Sequence, residues 1–121
     1  MPETGTPPPG GYRLPPAIRL GPVRLQIADL DRSIRFYNEV LGLRLASRNA
    51  GDATLTAADG APLVRLERRA GARPAPRRGR LGLYHFAILL PDRRALGRLA
   101  AHLAALNVRI GSADHLVSEA L

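Results

Sequence analysis

Three histidines and no cysteine stand among the 121 residues. Imidazole nitrogens, carboxylates and arginine guanidinium groups are therefore what this chain has for ligating a metal, moving a proton or holding an anion. The missing thiol excludes disulfides, zinc–thiolate sites and cysteine nucleophiles. His85 lies in "GLYHFAILLPD", where Tyr84, Phe86, Ile88 and Leu90 alternate with Leu83, His85, Ala87 and Leu89. A strand with that period puts the bulky side chains on one face and the imidazole on the other. A lone strand histidine is read either as a ligand or as a structural residue, and spacing does not choose between them. His115 follows Asp114, a carboxylate able to hold it in a loop. His102 sits at the edge of a leucine stripe on an outer helix and is assigned no chemistry. Arg24, on the polar side of another strand, could steady an anionic oxygen.

The elements that must carry these groups are legible in order. Met1–Pro16 ("MPETGTPPPGGYRLPP") holds too much Pro and Gly to join a core. Val23, Leu25 and Ile27 oppose Arg24 and Gln26 on a first strand. Asp29 is the predicted N-cap of a helix with Leu30, Ile34, Tyr37 and Leu41 at helical spacing, ended by Gly42. Leu43–Arg48, Ala53–Ala57 and Pro62–Arg68 read as three strands, with Asp59-Gly60 turning a hairpin. The arginine-rich stretch 69–80 reads as a solvated loop. A strand from Gly82 to Leu90 follows. Asp92 then caps a helix carrying Leu96, Leu99, Leu103 and Leu106, and Asn107 closes it. Val108–Ile110 and the start of another strand at Val117–Leu121 complete the reading.

"PVRLQIAD" (Pro22–Asp29) lies over "HFAILLPD" (His85–Asp92) position by position at an offset of 63 residues. Strand–helix–three strands, then the same pattern again, is an internal duplication whose second copy stops in mid-strand. The expected domain division is a disordered Pro/Gly-rich leader, 1–17, and one module, 18–121. That module comprises a first βαβββ unit at 20–68, an arginine-rich loop at 69–81 and a truncated second repeat at 82–121. The length suits one domain, and no apolar run reaches the roughly 20 residues of a membrane helix. A cytoplasmic protein is expected. The formal charge of +8 comes from arginine without lysine, as GC-rich coding favours. With few aromatic platforms it does not point to nucleic acid.

"VRLQIADLDRSIRFYNEVLGLRL" resembles the first repeat of the vicinal oxygen chelate superfamily, which includes glyoxalases, bleomycin-resistance proteins and extradiol dioxygenases. "GLYHFAILLPDRRALGRLAAHL" with "DHLVSEAL" resembles, more narrowly, the N-terminal module of the Bacillus-type catechol 2,3-dioxygenases. The resemblance covers about Gly21–Leu121. It implies an α+β fold of paired βαβββ repeats curled around a cup, helices outside, with the second repeat incomplete.

For the site, the resemblance implies His85 as a metal ligand and His115 as a proton donor/acceptor beside the substrate. Arg24 then steadies a substrate oxygen. Fe(II) is the implied metal, with Ni(II), Zn(II) or Mn(II) the alternatives in a glyoxalase-like lyase or isomerase. The substrate is a small aromatic diol or another pair of vicinal oxygens. Two departures stand out. Pro22 occupies the place of the first-repeat ligand, and nothing here matches the segment that bears the family's metal-binding glutamate; Glu119 is not that residue. The expectation is a fragment of a ring-cleaving dioxygenase, inactive alone, with a homodimer or a missing C-terminal module covering its unpaired edge. A non-enzymatic ligand-binding module of the bleomycin-resistance type is the remaining alternative.

Overall fold

The computed structural model describes residues 10–73, 83, 85–111, 113–114 and 119–120. Its centre is a four-stranded sheet in the order β1-β4-β3-β2, formed by β1 (Val23–Ile27), β2 (Arg44–Arg48), β3 (Asp52–Thr56) and β4 (Pro62–Arg68). β1 runs parallel to β4, while β4–β3 and β3–β2 are antiparallel. The parallel pair requires a crossover, and α1 (Leu30–Arg35) begins it. This is the βαβββ unit read from residues 20–68.

Alternation separates the two faces. Val23, Leu25 and Ile27 are half-buried, while Arg24 and Gln26 are exposed. Leu55, Val64 and Leu66 are fully buried and join Ala53, Leu30, Ile34 and Leu43 in the core. The other face carries Thr54, Arg65 and Arg24 in one cross-strand row and Asp52, Glu67 and Gln26 in the next. A register shift between Leu45 and Ser47 sets Arg48 on the helix side, where it pairs with Asp31 of α1.

Asp29 Oδ1 accepts from the Arg32 amide at 3.0 Å, and Asp92 Oδ1 accepts from the Ala95 amide at 2.7 Å. Both N-caps stand as read. The first helix does not stay α-helical to Leu41, however: Phe36–Val40 form a π-helical turn. Gly42, at φ 74°, stops it. The bonds Leu43 N–H to Tyr37 O (2.9 Å) and Gly42 N–H to Asn38 O (3.0 Å) each span one residue more than the usual left-handed helix stop, as the wider turn requires. α2 (Arg93–Ala105) ends in the ordinary form. Asn107 takes φ 55°, with Val108 N–H bonded to Leu103 O and Asn107 N–H to Ala104 O. His102 Nε2 lies 2.9 Å from Glu39 O, so the histidine given no chemistry ties the two helices together.

The strand expected over Gly82–Leu90 is corrected where the structure describes it: residues 85–90 join no ladder, and Gly82 and Tyr84 lie outside the described residues. The reason follows from the sheet order. The four strands β1-β4-β3-β2 pair among themselves, and alternation along 85–90 sets two faces without supplying a neighbouring strand. Phe86 still packs on the core, whereas Ile88 is exposed. The short strand expected at Val108–Ile110 is likewise absent. Instead β5 (Ala113–Asp114) pairs with β6 (Glu119–Ala120).

Two stability tests arise here. Thr56 is buried and its hydroxyl has no partner among the described residues. Thr56→Val replaces an unsatisfied oxygen with a methyl of similar size and is expected to stabilise the fold by about 1 kcal/mol, raising Tm by roughly 3–5 °C. A fall in Tm would place a bond on that hydroxyl. Tyr37 meets Phe36 edge-to-face, with ring centroids 5.2 Å apart, and burial pushes its phenol above the ordinary value. A raised acid holds its proton more tightly when folded. Its contribution is complete below the unfolded pKa near 10 and is lost as pH rises through the folded value. Urea midpoints should therefore fall as pH rises above about 10, and less steeply in Tyr37→Phe.

Candidate functional site

The polar face of the sheet holds a shallow concavity of about 400 Å³ lined by Pro22, Thr54, Pro62 and Arg65. Pro22 immediately precedes β1 and Pro62 opens β4. Thr54 and Arg65 face each other across the β3–β4 ladder. Beside them, Arg24 donates through Nε to Glu67 Oε1 at 3.0 Å and also pairs with it through Nη2. Arg69 reaches back to Gln26 Oε1 at 3.2 Å. Asp52 accepts from Asn49 at 3.0 Å.

The sequence-predicted residues are not gathered here. Arg24 is on the expected face, with its charge shared by Glu67. His85 is exposed, as an imidazole outside the core should be, but it stands on the unladdered segment 85–90 and does not line the concavity. His115 lies outside the described residues. Sequence reasoning missed Arg65 and Thr54. The signal was present in "PLVRLER" and "DATLT", where each alternates with buried residues, but which strands adjoin was needed to see that they meet.

The fit of a metal can be judged from the donors. A guanidinium, a hydroxyl and two proline rings line the concavity, and none of these is a usual ligand for a divalent ion. Among the described residues no three His, Asp or Glu side chains come together in a group able to hold a metal. The residues described here do not fit a metal centre by themselves.

This βαβββ sheet, with its helix on one face and its concavity on the other, is the half-cup of the vicinal oxygen chelate fold. The chain belongs to the Glyoxalase/Bleomycin resistance protein/Dioxygenase superfamily, whose family model matches residues 19–115. It is 44% identical over 102 residues to the Catechol-2,3-dioxygenase of Bacillus subtilis (strain 168). That match covers 84% of this chain but 36% of the relative, so the chain spans about a third of that protein's length. Two solved structures share the fold. A lactoylglutathione lyase from Agrobacterium tumefaciens matches with TM-score 0.60 and 24% identity, covering 82% of this chain and 77% of that one. An integron cassette protein from the mobile metagenome of V. cholerae matches with TM-score 0.58 and 20% identity, covering 88% and 84%. No helix among the described residues is long and apolar enough to cross a membrane.

Proposed function

We propose that this chain is one module of a metal-dependent ring-cleaving dioxygenase acting on small aromatic diols. The observation that carries the reading is the 44% identity to a catechol-2,3-dioxygenase over most of this chain. In this reading His85 is a metal ligand, His115 exchanges a proton with the substrate, and Arg24 steadies a substrate oxygen while Glu67 fixes its orientation. Fe(II) is the metal of choice; Ni(II), Zn(II) or Mn(II) would suit a glyoxalase-like lyase or isomerase instead. The metal would polarise the two adjacent oxygens of the substrate. The further ligands belong to length that such a protein has and this chain does not span, or to a second copy of the chain. Such a protein would work in the cytoplasm.

The test is oxygen uptake with catechol and added Fe(II) under air. The 121-residue chain alone is expected to consume oxygen no faster than a protein-free control. Turnover by the chain alone would overturn the module reading. Iron in a longer protein containing this chain supports the dioxygenase, whereas nickel, zinc or manganese with no ring cleavage supports the lyase. A second reading, a ligand-binding module of the bleomycin-resistance kind, is favoured by the chemistry of the described residues that line the concavity, none of which is a usual metal donor. It requires ligand binding that a chelator leaves unchanged.

A further inference from the structure

The concavity on the polar face holds two groups that the reading above does not use. Arg65 and Thr54 are cross-strand partners, both line it, and neither side chain has a hydrogen bond or ion pair with a described residue. The neighbouring cations are engaged, Arg24 with Glu67 and Arg69 with Gln26. Arg65 is thus the guanidinium that lines the concavity, and its side chain has no partner among the described residues. It sits directly opposite Arg24 on the parallel ladder, whose charge Glu67 already balances. The other described residues that line the concavity are Pro22 and Pro62. These rings carry no N–H donor and so offer apolar surface against which a flat ring can lie.

A forked cation and a hydroxyl, with two proline rings lining the same concavity, offer both a polar and an apolar contact to one small ligand. The fork presents two parallel N–H donors to a carboxylate, and the hydroxyl can donate a third bond. A volume of about 400 Å³ admits a single-ring ligand, since a closed cavity of about 150 Å³ suffices for benzene. We propose that this concavity is a metal-independent site for small aromatic monocarboxylates, the carboxylate on Arg65 and Thr54 and the ring against Pro22 and Pro62. The site does not need the ring-cleaving reading; it rests on the ligand-binding reading of the same concavity and names the ligand class.

Benzoate is the probe, titrated onto the whole 121-residue chain with EDTA present and followed by chemical-shift changes and calorimetry. Saturable binding in the roughly millimolar range is expected for an open site of this size. Arg65→Ala and Arg65→Gln should each weaken it at least about tenfold, the loss expected for one charge-assisted contact. Thr54→Val should weaken it less. Arg19→Ala, which removes the same unit of charge elsewhere, should leave it within about twofold. Benzyl alcohol, similar in ring and size but uncharged, should not saturate. Unsaturable benzoate, equal binding of benzyl alcohol, or unchanged affinity in either Arg65 variant would each overturn the proposal. If an Arg65 variant does not fold, Thr54→Val against Arg19→Ala decides it, and equal affinities would count against the site.

Discussion

Leu66→Ala is expected to destabilise the fold by about 2–5 kcal/mol. Leu66 is fully buried on β4, an inner strand of the sheet, with Leu25 of β1 and Ala53 of β3 as its cross-strand partners. One of those partners is an alanine, so the lost side chain has little bulk beside it to fall into the space. The transfer term and the residual cavity then add. Total stability of a domain this size is about 5–15 kcal/mol, which makes the loss a large share of the whole. With a urea slope of about 1–3 kcal/mol/M, the denaturation midpoint should move by about 1 M or more. Leu89→Ala is the control. Leu89 is 93% exposed, and its loss should cost under about 0.5 kcal/mol. A Leu66→Ala midpoint indistinguishable from that of Leu89→Ala would remove β4 from the core.

The second large effect concerns His85. In a full-length protein that contains this chain and turns over catechol, His85→Ala is expected to lower turnover by at least about 100-fold. Removing even an outer-shell partner of a metal ligand commonly costs 10–100-fold, and removing a ligand itself costs more. Metal content should fall with activity. His102→Ala distinguishes this from a general effect of losing a histidine. His102 meets the Glu39 carbonyl between two helices, so its loss should lower stability by about 1 kcal/mol and leave metal content alone. Wild-type metal content and turnover in His85→Ala would remove His85 from the site and favour the ligand-binding reading. The 121-residue chain by itself presents His85 without two further ligand side chains among the described residues. It should therefore retain little metal after gel filtration.

Local rules made the first repeat readable. Period-two alternation in "VRLQI" separates Arg24 and Gln26 from Val23, Leu25 and Ile27, and the structure shows that division. Asp29 and Asp92 cap as their short acceptor side chains should, and Asn107 ends α2 in the left-handed conformation that asparagine tolerates. Asp59-Gly60 turns the hairpin before β4, with Gly60 at φ 85° and the Ala61 amide bonded to Asp59. Each of these is decided within a few residues. The π-helical turn at Phe36–Val40 is not, because helical spacing of apolar residues is nearly the same for an α and a locally widened turn.

By itself, the amino-acid sequence determined the βαβββ order, the face on which Arg24 lies and both helix caps, because adjacent residues settle periodicity and capping. Tertiary structure decided two things that it could not. Residues 85–90 hold a strand's alternation yet form no ladder, since pairing needs a neighbouring strand and alternation supplies only one side of it. Arg65 and Thr54 come to share a concavity with Pro22 and Pro62, because strand order brings together residues that no local pattern connects. Which side chains end up beside one another is a property of the sheet, and chemistry follows from that neighbourhood.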